Sequence, residues 1–292
     1  MKLYIIGNGF DLYHHLPSSY SDFREFIKET DPFSFEIIEE YFNYTGAFWH
    51  TFEINLTELD EFRLIGDVLH SLGSGGWDAD ALESYDPLLK SHTIGMFYQL
   101  KTHMINWIKI LNNRPLSRKY PDIDPDSLFI SFNYTNTLER HFHIHPDQIN
   151  YIHGSTQKEN CNLIFGHDMN NANINYDVDD NQEGQGRLVV QSFLKHTRKP
   201  VEKIIAQNQD FWSKLYSLNE VIIIGHSLSS VDAPYFKTIA NHVSKKCLWK
   251  VSYYNKTDIK HHTSRLVQCS VDPQLTFPFD IYPDRPKQGV LF

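Results

Sequence analysis

The sequence predicts an α/β protein, a mostly parallel, doubly wound sheet carrying a helical insertion. Three observations lead there. Short, continuous apolar runs at residues 3–6, 128–132, 149–152, 163–165 and 221–224 each stop at Gly, Asn or His, and such runs suit strands buried on both faces. The long stretch between the first two runs has helical character. Helical patterns then alternate with the later strands, the arrangement of a sheet covered on both faces. The expectation is one domain over residues 1–292, with the insertion at about 31–120.

Each element has its own warrant. Phe97, Leu100, Met104, Trp107 and Leu111 recur at spacings of three and four, which makes one apolar helical stripe. Residues 49–72 also read as mostly helical, and SLGSGGWDAD (71–80) as a loop by composition. Pro200 suits the first turn of a helix, whose Val201, Ile204, Ile205, Trp212 and Leu215 would face the sheet. A further helix is expected over 231–243, and 251–254 is a weaker strand candidate. The polar, acidic, glycine-bearing segment 171–186 reads as a loop able to serve as a lid.

Bulk numbers narrow the function. The chain has 292 residues, 41% of them hydrophobic, enough for a large core. With 27 Lys+Arg against 36 Asp+Glu the formal charge is −9, so nucleic-acid phosphate is not favoured as a partner. Cys161, Cys247 and Cys269 are scattered and odd in number, which gives no disulfide framework or cysteine zinc site and fits a reducing cytoplasm. No run reaches the length of a membrane span, and the N-terminal apolar run is short for a signal peptide.

Ligands of open parallel sheets bind at the carboxyl ends of strands, and four motifs fall there. In IIGNGFDL, Gly7 and Gly9 let a backbone approach a phosphate or sugar, or simply make a tight turn; the third glycine of a dinucleotide fingerprint is replaced by Leu12. Asn133, in SFNYTNTLE, can hold a ribose hydroxyl or position a water, or can cap the following helix. His153, in INYIHGS, titrates near neutrality and can act as a base, although the chain has 16 histidines. Gly225-His226-Ser227-Leu228-Ser229 is one residue short of the G-x-S-x-G nucleophile elbow. Its triad partners would have to be Asp258 with His261 or His262, an awkward spacing on one helix.

These motifs together resemble the AbiH family of bacterial phage abortive-infection proteins. The likeness rests on IIGNGFDLYHHLPSSYSDF, FWHTFE at 48–53, SFNYTNTLE, YIHG with LIFGHD, and IIIGHSLSSVDAPYF. Their order resembles, more distantly, the sirtuin-like NAD-binding fold. Gly7-Asn8-Gly9 leads to Leu16-Pro17 and Asp22-Phe23-Arg24, then Asn133 with Thr137-Leu138-Glu139, His153-Gly154, and Gly225-His226-Ser227.

The resemblance implies a Rossmann-like, sirtuin-like fold with NAD as substrate or ligand and no metal. It implies that Asn133 orients a water or the nicotinamide ribose and that His153 is the base. Gly7, Asn8, Gly9, Phe10 and Asp11 would line the diphosphate and nicotinamide side. Gly225, His226 and Ser227 would contact the adenosine ribose or phosphate, so Ser227 binds rather than attacks. Asp232 would cap its loop or bind a ribose hydroxyl. Thr135 stands where the sirtuin pattern has Asp, and Asp11 where it has Ser. The zinc ribbon of protein deacylases has no counterpart, which favours cleavage of a dinucleotide, or binding alone, over deacylation. A homo-oligomer and a phage trigger are implied in the same way.

The expected function is hydrolysis of NAD at the nicotinamide–ribose bond. Alternatives are a non-catalytic nucleotide sensor and a nuclease or metal-dependent hydrolase drawing ligands from Asp11, Glu53, Asp168 and the alternating His141, His143 and His145. Trp49, Tyr4, Tyr134 and Tyr151 read as packing residues.

Overall fold

The computed structural model describes residues 1–42, 46, 48–72, 79–118, 123–157, 163–168 and 182–282. They form two compact units, one of residues 1–18, 110–162 and 200–292, the other of 19–109 and 163–199.

The first unit holds the sheet. Its strands are β1 (Lys2–Ile6), β2 (Leu128–Ser131), β3 (Ile149–Tyr151), β4 (Glu220–Ile224), β5 (Leu248–Tyr253) and β6 (Thr276–Asp280). Their order is β3-β2-β1-β4-β5-β6, and every pairing is parallel. The chain therefore winds outward from β1 in one direction, then crosses to the other side of β1. The switch point of this doubly wound, Rossmann-like order lies between β1 and β4. The buried β1 and β4 residues explain the apolar runs: Leu3, Ile5, Val221 and Ile223 are fully inaccessible. One cluster packs Tyr4, Ile6, Phe129, Ile222 and Ile224 against Phe10 and Tyr13 of α1 (Asn8–Tyr13) and Leu138 of α8 (Thr137–Phe142).

Around the sheet run α10 (Val201–Gln207), α11 (Gln209–Trp212), α12 (Ala233–His242) and α13 (Lys256–Gln268). The segment after Pro200 is two short helices broken at Asn208, whose side-chain amide donates to the Ile204 carbonyl. The expected 231–243 helix is α12, preceded by a 3₁₀ turn at Ser230–Asp232.

The second unit is helical among its described residues. It contains α2 (Tyr20–Thr30), α3 (Pro32–Tyr41), α4 (Phe52–Asn55), α5 (Glu61–Ser71), α6 (Ala79–Lys90), most of α7 (Met96–Asn112) and α9 (Gln182–Thr197). Ser19 opens α2 with a reciprocal capping box to Asp22. The expected apolar stripe of α7 is buried at Phe97, Leu100, Met104 and Trp107. Trp49 is core: it stacks on Phe52 and its indole N–H donates to Glu39.

Three expectations are corrected. Residues 163–165 form no strand; they run as coil, with Phe165 packed on Phe52 and Phe97, so this apolar run fills a core without pairing. The segment 171–186 is helical from Gln182, the first residue of α9, while 171–181 lies outside the described residues. Of 71–80, Ser71 ends α5 and Ala79 begins α6, with 73–78 outside the described residues. Among the described residues no helix is long and apolar enough to cross a membrane.

Candidate functional site

Parallel register brings the four motifs to one rim. Ile6 pairs with Ser131 and Ile224, and Ser131 pairs with Tyr151. The residues that follow these strands, Gly7, Asn133, His153 and Gly225, therefore leave the sheet on the same side.

The β1–α1 and β4–α12 loops meet backbone to backbone. The Gly7 amide donates to the Ile224 carbonyl at 3.0 Å and the Gly9 amide to the Gly225 carbonyl at 2.8 Å. A Cβ at Gly7 would lie 2.6 Å from His226 Cα, and one at Gly9 2.7 Å from Gly225 Cα. Gly225 has φ +67° and its amide donates to Ser252 Oγ on β5. The glycines thus let two loops approach each other. Asn8 is pinned by reciprocal bonds with Ser18, and Phe10 is fully buried in the core, so its side chain is not on the rim.

Asp11 and Asn133 form a second linkage. Asp11 is buried, and its two carboxylate oxygens accept from Thr135 Oγ1 at 2.6 Å and Thr137 Oγ1 at 2.8 Å. Burial pushes its pKa up to about 6, against the pull of the hydrogen bonds from Thr135, Thr137 and Asn133. Asn133 Nδ2 donates to the Gly7 carbonyl at 3.1 Å. The Asn133 amide nitrogen is thus turned inward, toward Gly7 and Asp11, and Oδ1 is its acceptor atom. Rather than facing an open diphosphate site, Asp11 braces the Asn133 loop. The competing expectation that Asn133 caps the next helix fails: the N-cap of α8 is Asn136, and it makes no side-chain cap bond.

His153, His226 and Asp232 form the third group. His153 Nε2 lies 3.8 Å from Asp232 Oδ1, and His226 Nε2 lies 3.6 Å from Asp232 Oδ2. Ser229 Oγ donates to Asp232 Oδ2 at 3.0 Å. All three of His153, His226 and Asp232 are buried. Phe132, directly before Asn133, meets His153 and His226 edge-on with centroids 5.2 and 4.4 Å away, and Tyr235 and Phe236 complete the apolar wall. Asp232 precedes α12 without capping it through its side chain, so that expected role is corrected.

Ser227 is exposed, and the left-handed residues beside it are Gly225 and Leu228. An elbow nucleophile occupies the strained turn itself, directly before a helix; here α12 begins at Ala233. Asp258 belongs to the capping box of α13 with Asn255. The serine-hydrolase geometry is absent from these residues.

Other candidates fall elsewhere. Glu53 pairs with the buried Lys199 at 2.7 Å in the second unit. In LIFGHD, Gly166 packs against the Thr197 carbonyl and His167 accepts the Lys199 amide at its own carbonyl, a structural clasp. His143 is the left-handed C-cap of α8, and His145 caps a 3₁₀ turn through Asp147. Among the described residues no group of three or more His, Cys, Asp or Glu side chains is placed to hold a metal ion. Tyr4 stacks on Phe129, and Tyr151 donates to Glu139, as packing residues do. Sequence reasoning missed the bracing by Thr137, Ser229, Phe132 and Ser252. Phe132 and Thr137 flank Asn133 in SFNYTNTLE and Ser229 belongs to the GHSLS motif, so their neighbourhood was legible, whereas no local pattern ties Ser252 to Gly225.

An all-parallel sheet in this order, with buried polar side chains gathered at the carboxyl ends beside its switch point, defines a Rossmann-like α/β protein. A family model described as bacteriophage abortive infection AbiH matches residues 3–253, and the chain belongs to that family. The family gives it a role in phage abortive infection. Comparison with curated proteins and with solved structures found no match.

Proposed function

We propose that the rim formed by the ends of β1, β2, β3 and β4 binds NAD and hydrolyses its nicotinamide–ribose bond as the effector step of abortive infection. The observation that carries this reading is the placement of Asn133 and His153 at the ends of the paired strands β2 and β3, on the rim that also holds Gly7 and Gly225. Nicotinamide leaves as a neutral molecule from a positively charged ring, so the ribose passes through an oxocarbenium-like state. Such a state needs a held water and a base more than it needs an acid or a metal. Asn133 Oδ1 orients the water. His153 takes the water's proton as the oxygen bonds to the ribose carbon, giving ADP-ribose and nicotinamide. Gly7, Gly9, Gly225, His226 and Ser227 border the remainder of the dinucleotide. A homo-oligomer and a phage-dependent trigger belong to the same proposal through family resemblance.

A second reading, NAD held as a signal without cleavage, draws on the burial of Asn133 and His153. The deciding experiment incubates the purified protein with NAD and separates nicotinamide and ADP-ribose by chromatography. Hydrolysis predicts both products from the wild type and their loss in Asn133→Ala and His153→Ala. Equal release by wild type and both variants overturns the assignment. A ligand-dependent rise in melting temperature without product supports the signal reading.

A further inference from the structure

One carboxylate stands between two imidazoles at the rim, and its hydrogen-bonding can be worked out atom by atom. His226 Nδ1 accepts the Leu228 backbone N–H at 2.9 Å. A ring nitrogen that accepts carries no proton, so neutral His226 has its proton on Nε2. That nitrogen lies 3.6 Å from Asp232 Oδ2, to which Ser229 Oγ also donates. Two donors therefore face Oδ2. The other oxygen, Oδ1, faces His153 Nε2 at 3.8 Å. A carboxylate is acceptor-only, so it favours a proton on the imidazole nitrogen turned toward it. Asp232 stands at the N-cap of α12 without a side-chain cap hydrogen bond. The faces of His153 are otherwise met by rings: Phe132 and Tyr235 edge-on, and Tyr134 tilted at 6.3 Å. His153 and His226 are the titratable groups that face the carboxylate within 4 Å, and Tyr134 and Tyr235 are those packed on the His153 ring.

We propose that Asp232 is a positioning residue for His153, holding the imidazole with its proton on Nε2 so that Nδ1 is the basic atom. The catalytic meaning of this rests on the NAD-hydrolysis reading; the tautomer itself does not. His226 is the fixed counterpart, locked by Leu228 and unable to act as a base through Nε2. The separations of 3.6 and 3.8 Å are longer than hydrogen bonds, as catalytic contacts commonly are before substrate closes on them.

The test reads the tautomers directly, without NAD. Two-bond proton–nitrogen spectra of ¹⁵N-labelled full-length protein, at mildly alkaline pH, distinguish a protonated ring nitrogen from an unprotonated one. His153→Gln and His226→Gln identify the two signals. Wild type should show Nε2–H at both residues. In Asp232→Asn the amide oxygen stays with the Ser229 and His226 donors, which turns the amide NH₂ toward His153. His153 should then switch to Nδ1–H while His226 keeps Nε2–H. Nδ1–H at His153 in the wild type overturns the proposal, and triple-resonance assignment of the two rings in the wild type makes this arm independent of the Gln variants. An unchanged His153 tautomer in a folded Asp232→Asn protein overturns it too. Lack of nicotinamide release would sink the hydrolysis reading alone and leave these spectra unaffected.

Discussion

Gly225 lies against Gly9 so closely that the Gly9 amide reaches the Gly225 carbonyl at 2.8 Å, and neither residue has room for a side chain. The contact joins the two loops that flank the switch point of the sheet. At Gly225 steric and conformational demands coincide: φ is +67°, and a Cβ would collide with the Phe10 amide nitrogen. Gly225→Ala should therefore destabilise the protein by about 2–4 kcal/mol, combining backbone strain with overpacking. Gly66, inside α5, has open space where its Cβ would be. Gly66→Ala should stabilise by about 0.5–1 kcal/mol. Urea unfolding of both variants checks the pair, and equal stability of Gly225→Ala and wild type would contradict the close approach.

Asp11 gives a pH dependence with a definite sign. Its folded pKa of about 6 stands above the ordinary carboxylate value of 3.8 because burial disfavours the charge. Between those values the folded state binds more protons than the unfolded one, so stability falls as pH rises. The contribution is fully present below pH 3.8 and is lost as pH climbs through about 6, a change of about 3 kcal/mol. His14, three residues on, acts oppositely: burial lowers it to about 4, so its share of stability is lost as pH falls. The informative quantity is therefore the difference between wild type and Asp11→Asn, measured by urea unfolding across this range. That difference should move against the wild type as pH rises. A difference independent of pH would show that Asp11 titrates normally.

The buried pair Lys199–Glu53 supplies a third test, confined to the second unit. Lys199 Nζ has no exposed side-chain surface and sits 2.7 Å from Glu53. Removing one charge strands the other in a low-dielectric site, so Glu53→Gln should cost about 3–5 kcal/mol. Lys199→Met combined with Glu53→Gln should recover most of that loss, because desolvation of both ions disappears with the pair. A double variant no better than Glu53→Gln would mean that the two charges are not energetically coupled.

What the sequence revealed and concealed follows from the range of each interaction. The strands β1, β2 and β4 announced themselves because burial on both faces demands unbroken apolar runs. β6 did not: it is an edge strand containing Pro278, and Phe277 is exposed. Residues 163–165 have the composition of a strand but find their burial among Phe52 and Phe97, a tertiary outcome that periodicity cannot distinguish. The strand-end positions of Asn133 and His153 were legible, since each follows an apolar run. Their partners were not. Asn133 bonds a carbonyl 126 positions away, and Thr137 reaches Asp11 across the same separation. Such pairings depend on strand order, which no local pattern encodes.

The most demanding prediction concerns Asp232→Asn in the NAD assay. This substitution keeps the volume of the side chain and leaves Ser229 and His226 a carbonyl to donate to. It removes the negative charge beside both imidazoles and reverses what His153 Nε2 sees, from a carboxylate oxygen to an amide N–H. If Nδ1 of His153 takes the water's proton, that reversal places a hydrogen on the atom that must be free. Nicotinamide release should fall by about 10²–10⁴-fold, the scale seen when a catalytic histidine is held in the wrong tautomer. NAD affinity should stay within a few-fold, because the change is confined to the base. A variant that loses affinity and keeps its turnover would place Asp232 against the ribose hydroxyls instead. That pattern, read from the turnover number and a separate binding isotherm, separates a positioning carboxylate from a ligand contact.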